Sequence, residues 1–201
     1  MNNNQNNKIL YGVVGIVIGL VLGIIVGPMM RTDSVVTQNS NSQTASAGAL
    51  DRHFIEQMIP HHDGAIAMAN LALEKAKRTE IKTLAQAIVS AQESENQQMK
   101  SWYRDWFGKD VPKGSAMMGG MMSQVGMHMG GSEDLNALRN AADFDKVFIE
   151  QMIPHHQMAI MMARMLESGS EKSEMQQLAK NIISSQTKEI QDMKSWYDNW
   201  Y

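Results

Sequence analysis

Two adjacent histidines occur twice in this chain, His61–His62 and His155–His156, each closing the same nine residues, FIEQMIPHH. Imidazole is a ligand for copper in either oxidation state and for zinc, nickel and iron. Methionines recur around both pairs. Met58 stands three and four residues before the first pair and Met68 six and seven after it, and Met152 and Met162 hold the same places around the second. A thioether is a soft, neutral donor that suits Cu(I) and Ag(I) and serves hard cations poorly. At helical spacing, Met58, one of His61 and His62, and Met68 share a stripe, and Met152, one of His155 and His156, and Met162 repeat it. Met158, Met161 and Met165 are extra in the second copy. Adjacent helical residues diverge by about 100°, so the spacing predicts one histidine of each pair aimed inward and the other toward an edge.

Further along, Gln92, Glu95 and Met99 lie three and four apart, and Gln186, Glu189 and Met193 repeat them. Such residues share one helical face. A carboxylate there could fix an imidazole tautomer or bind an ion directly; the plainer readings are a solvated face for the glutamates and core packing for the methionines. Pro60 and Pro154 precede the histidines directly. Proline inside a helix removes one hydrogen bond at a cost of about 3 kcal/mol, which suggests a site beside it. A third donor-rich stretch is MMGGMMSQVGMHMGG, Met117 to Gly131, with Met117, Met118, Met121, Met122, Met127, His128 and Met129 as candidate ligands. Glycines would let several sulfurs turn toward one ion; an apolar loop is the alternative.

The elements that position these residues follow from a repeat. Residues 51–107 align without gaps on residues 145–201 at an offset of 94, with about half the positions identical. Each copy reads as two helices. The first runs from about Asp51 to Lys77 and the second from about Glu80 to Trp106, with apolar residues at intervals of three and four and no strand-like alternation. A hairpin with one apolar face must bury it against another, so two hairpins, 49–107 and 144–201, predict an all-α four-helix bundle. Residues 32–48, rich in Ser, Thr, Asn and Gln, read as a flexible linker. Residues 108–143 read as a Met/Gly-rich crossover ending in a short helix, Glu133 to Ala142, capped by Ser132.

Residues 1–31 read as an N-terminal transmembrane anchor. Ile9 to Gly27 carries no charge, and its 19 residues span roughly 28 Å as a helix, about the thickness of a bilayer core. A cleaved signal peptide fits less well, because Ala45-Ser46-Ala47 lies too far downstream to be its cleavage site. Lys8 leans the short N-terminus toward the cytoplasm, which places the bundle outside it. Gly15, Gly19, Gly23 and Gly27 form a stripe through which two such helices could pair as a homodimer.

The totals exclude several functions. The chain has 201 residues, 19 methionines, no cysteine and a net charge of −3. Without cysteine there are no disulfides, thiolate metal sites, lipoprotein anchor or cysteine nucleophile. The acidic balance gives no reason to expect nucleic acid. Paired-iron chemistry of the bundle type needs Glu-x-x-His, and neither copy contains it.

The stretch F-I-x-x-M-I-P-H-H-x-x-A-I-x-M-A and the later Q-x-x-E-x-x-x-M-x-x-W resemble the bacterial domain of unknown function 305 family over nearly all of Leu50 to Tyr201. The resemblance implies a ferritin-like bundle, usually exported, and for some members copper or silver binding and resistance. The ligands it implies are His61, His62 and Met68, their mates His155, His156 and Met162, and Met99 with Met193. Gly64 stands where the second copy has Met158, and His53 where it has Val147, so two unequal sites are expected. The expected function is a membrane-tethered Cu(I)/Ag(I) buffer or metallochaperone. A Cu(I) oxidase-like enzyme and a Met-rich module binding a partner helix are the alternatives.

Overall fold

The computed structural model describes residues 40–112 and 132–201, which form five helices. These are α1 (Ser40–Lys75), α2 (Thr79–Phe107), α3 (Ser132–Arg139), α4 (Phe144–Gly169) and α5 (Ser173–Trp200). The chain divides into residues 1–36 and 37–201, and the described residues belong to the second part. The expected anchor 1–31, its glycine stripe, and the Met117–Gly131 segment lie outside the described residues. Among the described residues no helix is long and apolar enough to cross a membrane.

Two boundaries depart from the sequence reading. Residues 40–48, expected as flexible linker, are the first turns of α1. Extending an existing helix avoids the cost of nucleation and adds one hydrogen bond per residue, and the alanines at 45, 47 and 49 favour it. The short helix is Ser132–Arg139, three residues shorter at its end than expected. There the Asn140 side chain donates to the Asn136 carbonyl, an alternative to helical bonding that asparagine offers readily. Fully buried Leu138 fixes α3 to the core. The other termini follow local chemistry. Asp143 accepts from the Lys146 N–H and caps α4. Gly108, at φ +65°, ends α2 in the left-handed region where glycine is at ease.

The helix pairs α1–α2 and α4–α5 are antiparallel hairpins with short turns at 76–78 and 170–172. α1 and α4 also run antiparallel. At one end a Cβ built on Gly169 would stand 2.5 Å from Leu50 Cδ2; at the other, Asp145 reaches the turn that follows α1. Contacts between the hairpins come in matched pairs at the repeat offset. Asp145 accepts from the Lys77 and Arg78 backbone N–H groups, each at 3.0 Å. Its mate Asp51 lies against Ser170 and Lys172 of the other turn, where burial pushes its carboxyl upward and these two neighbours pull it back. Arg78 stacks over Trp200 at 4.2 Å, and its mate Lys172 over Trp106 at 4.3 Å. Asp51 of α1 and Asp145 of α4 thus each hold the turn of the opposite hairpin.

The apolar core is in two parts. One contains Met68, Ile81, Ile88, Phe148, Met152 and Met193; the other contains Ile55, Met58, Met99, Ala163, Leu166 and Met175. Along every long helix the polar residues of interest fall between the two.

Candidate metal centre

α1 runs unbroken through Pro60, and α4 through Pro154. Each proline lacks the N–H that would bond the carbonyl four residues earlier, at Glu56 and Glu150. One residue beyond, the histidines enter the middle of the bundle. His61, His62, His155 and His156 are all buried. This corrects the expectation that one of each pair would face an edge. A surface helix has one inward direction, but α1 and α4 each pack against two other long helices, so two adjacent residues can both be inside.

The two directions carry different contacts. His61 and His155 meet across the α1–α4 interface with ring centroids 3.8 Å apart. His62 turns to its own hairpin, where Nε2 lies 2.8 Å from Glu95 Oε2, and His156 does the same with Glu189 at 2.6 Å. Beside them Gln92 and Gln186 are buried, and each side-chain carbonyl lacks a hydrogen-bond partner. The result is a polar layer between two apolar ends.

Burial holds the His61 imidazole well below its ordinary pKa; His62 and His156 push the same way, and the His155 backbone opposes them. His61 is therefore neutral at physiological pH, with a lone pair on one ring nitrogen. Neither of its nitrogens makes a well-formed hydrogen bond. In the neutral tautomer whose Nε2 proton goes to Glu95 or Glu189, Nδ1 of His62 and of His156 carries the lone pair. Both Nδ1 atoms are buried without a hydrogen-bond partner. Buried polar atoms in proteins are satisfied in more than about nine cases in ten, so several orphans in one layer call for an explanation. A carboxylate holding one imidazole nitrogen while the other faces inward is the arrangement that supports metal ligation.

The donor set limits the ion. Among the described residues no three His, Asp or Glu side chains converge as a metal-binding group. Closed tetrahedral zinc and the oxygen-rich sites of calcium or magnesium need more such donors. Neutral imidazoles and thioethers in twos and threes suit a soft monovalent ion.

The methionines divide around this layer. Met58 and Met99 are fully buried in one apolar end, with partly buried Met162 packed against it; Met68, Met152 and Met193 are fully buried in the other. The expected stripe of Met58 with Met68 is therefore split by the histidines. Of these candidate ligands, each end combines two methionines of one hairpin with one of the other. Glu95 and Glu189 sit at the histidine Nε2 atoms, so they hold the imidazoles. Met117, Met118, Met121, Met122, Met127, His128 and Met129 lie outside the described residues. One polar contact had no signal in the repeat: Asn96 donates to Asp63 at 2.9 Å beside His62, where the second copy has Ile190 and Gln157.

Residues 51–197 match the family described as Domain of unknown function (DUF305). CopM in its Cu(I)-bound form is 47% identical to this chain and matches it with a TM-score of 0.65, covering 75% of this chain and 97% of CopM. CopM is also known in an Ag-bound form, at the same identity and TM-score. A DUF305 fragment from Deinococcus radiodurans, 24% identical, shares the fold with a TM-score of 0.65 over 75% of this chain and 96% of the fragment. An uncharacterized protein of Acanthamoeba polyphaga mimivirus is 43% identical over 54 residues, and the match spans 27% of this chain and 36% of the viral protein.

Proposed function

The chain belongs to the DUF305 family, and from that premise we propose that it binds copper as Cu(I), with Ag(I) as an equivalent soft ion, and holds it for sequestration or buffering. The observation that carries the reading is the pair of buried imidazoles, His62 and His156, whose Nδ1 atoms lack hydrogen bonds while Glu95 and Glu189 hold the two rings from behind. The ion is cargo. His61, His62, His155 and His156 would bind it in the middle of a ferritin-like bundle, with Met58, Met99 and Met162 on one side and Met68, Met152 and Met193 on the other. No proton needs to leave a thioether or a neutral imidazole, so uptake does not depend on deprotonating a ligand. The similarity to CopM supports copper and silver as the metals. The Met117–Gly131 segment would add weaker sites, and the apolar run Ile9–Gly27 would hold the bundle at the outer face of a membrane.

The test is competition. The full chain, titrated with Cu(I) under reducing conditions against a chromophoric chelator, is expected to remove copper from the chelator. Replacing His61, His62, His155 and His156 by leucine is expected to abolish the tight sites and leave a weak residue from the Met-rich segment. Undiminished tight binding in that variant would overturn the assignment. Sustained oxygen consumption on adding Cu(I) would favour an oxidase instead.

A further inference from the structure

The second hairpin carries donors that the first lacks, and they follow a path. On α4, His155, Met158, Met161 and Met165 are spaced by three, three and four residues, so each lies next to the following one on one side of the helix. Exposure rises along the series: 0% at His155, 5% at Met158, 45% at Met161 and 62% at Met165. Among the described residues, large exposed apolar side chains are otherwise scarce. Met158 is buried, but it belongs to neither apolar end of the core. The matching positions of α1 are His61, Gly64, Ala67 and Leu71, which form no such series.

A further donor faces the outer end of this path. Leu50 and Gly169 oppose one another between α1 and α4. His53 is one turn along α1 from Leu50, and Met165 is one turn back along α4 from Gly169. Residues three or four apart share a helical face, so His53 and Met165 flank the same groove at the same level. His53 is exposed, and its mate in the second hairpin is Val147. The donors that break the repeat therefore gather in one groove, while the equivalent groove at the other end of the α1–α4 pair has Val147, Ala67 and Leu71.

We propose that this groove is a loading port for a soft monovalent cation, in which His53, Met161 and Met165 take the ion at the surface and Met158 passes it to the buried histidines. The inference rests on the reading of the central layer as a Cu(I)/Ag(I) site. Transfer is ligand exchange between neutral donors. One thioether–metal bond forms as another breaks, and neither proton nor electron moves. The port gives the molecule one loaded side, at the second hairpin.

Ag(I) is the probe, because it does not change oxidation state. In the full chain with isotope-labelled methionine methyls, substoichiometric Ag(I) is expected to shift the Met161 and Met165 methyl resonances. The variant His53→Val, Met161→Leu, Met165→Leu changes exposed positions only. It is expected to slow Ag(I) transfer from a competing chelator by about tenfold, the scale on which association rates move among variants of one site, while the number and affinity of the tight sites stay unchanged. Replacing Ala67 and Leu71 with valine and isoleucine is expected to leave the rate as it is. Unchanged uptake by the triple variant, or loss of a tight site in it, would overturn the port. If the native chain holds Ag(I) tightly without those methyl shifts, only the port fails. If it holds none, the central site fails and takes the port with it.

Discussion

The middle of this bundle and its two ends follow opposite rules. The ends are filled with Ile, Leu, Met, Phe and Ala, and nearly every atom there serves packing. The middle holds four buried imidazoles, two buried glutamine carbonyls without partners, and two carboxylates at its margin. Burying an amide or imidazole without a full set of hydrogen bonds costs about 1–3 kcal/mol by mutational measure. The ends must therefore stabilise a layer that, by itself, weakens the fold. A core that retains such a layer in both repeats is built around something other than stability.

The comparison makes predictions that separate the regions, and the largest effect belongs at an end. Phe148 is fully buried, and Phe148→Ala is expected to lower metal-free stability by about 3–5 kcal/mol in denaturant unfolding, with metal affinity per folded molecule retained. The double variant His61→Leu, His155→Leu should do the reverse, leaving metal-free stability equal or higher while cutting affinity in the chelator assay. A large loss of stability there would mean that the layer serves the fold.

Next in size is the support for the ligands. Glu189→Gln keeps the shape but removes the charge that holds His156. Affinity is expected to fall by about 10–100-fold, the scale for losing a group that orients a metal-bound histidine, with little change in unfolding. The equivalent Glu95→Gln should match it, because the two contacts are at corresponding positions.

The joints between hairpins come third. Asp145→Ala leaves the Lys77 and Arg78 N–H groups without their carboxylate, which is expected to cost about 1–2 kcal/mol in unfolding and to leave metal affinity unchanged. The smallest effect is on pH. The folded chain holds His61 neutral below its ordinary value of 6.5. Above that pH both folded and unfolded states are uncharged at this residue, and its contribution is intact. Below it the unfolded chain takes up a proton that the fold resists. Metal-free stability should then fall with decreasing pH, by at most about 1.4 kcal/mol per unit, and the double leucine variant should show a shallower slope.

Much of this was legible in the sequence. The hairpins, their helical periods and the burial of Met58, Met99, Met152 and Met193 follow from apolar residues recurring every three or four positions, a signal that stays within one element. The pairing of Glu95 with the first histidine pair and Glu189 with the second was legible as a candidate, because both recur at the repeat offset. The start of α1 was not, because residues 40–48 have no apolar period and become helical by extension. Nor was the double burial of each His pair, since a helical wheel has one inward direction until the number of packing neighbours is known.

The sequence by itself determined that there would be two alike hairpins, that each would bring a His-His pair on one helix and a Gln-Glu-Met face on the other, and that soft neutral donors would outnumber hard ones. Residue type and helical spacing are local, and they need no knowledge of the partner. Only the tertiary structure decided that His61 meets His155, that Met58 and Met68 part to opposite ends, and that Leu50 lies against Gly169. These depend on the antiparallel register of α1 against α4. That register is set by contacts 67 and 68 residues apart in the chain at Asp145, beyond the reach of any local period.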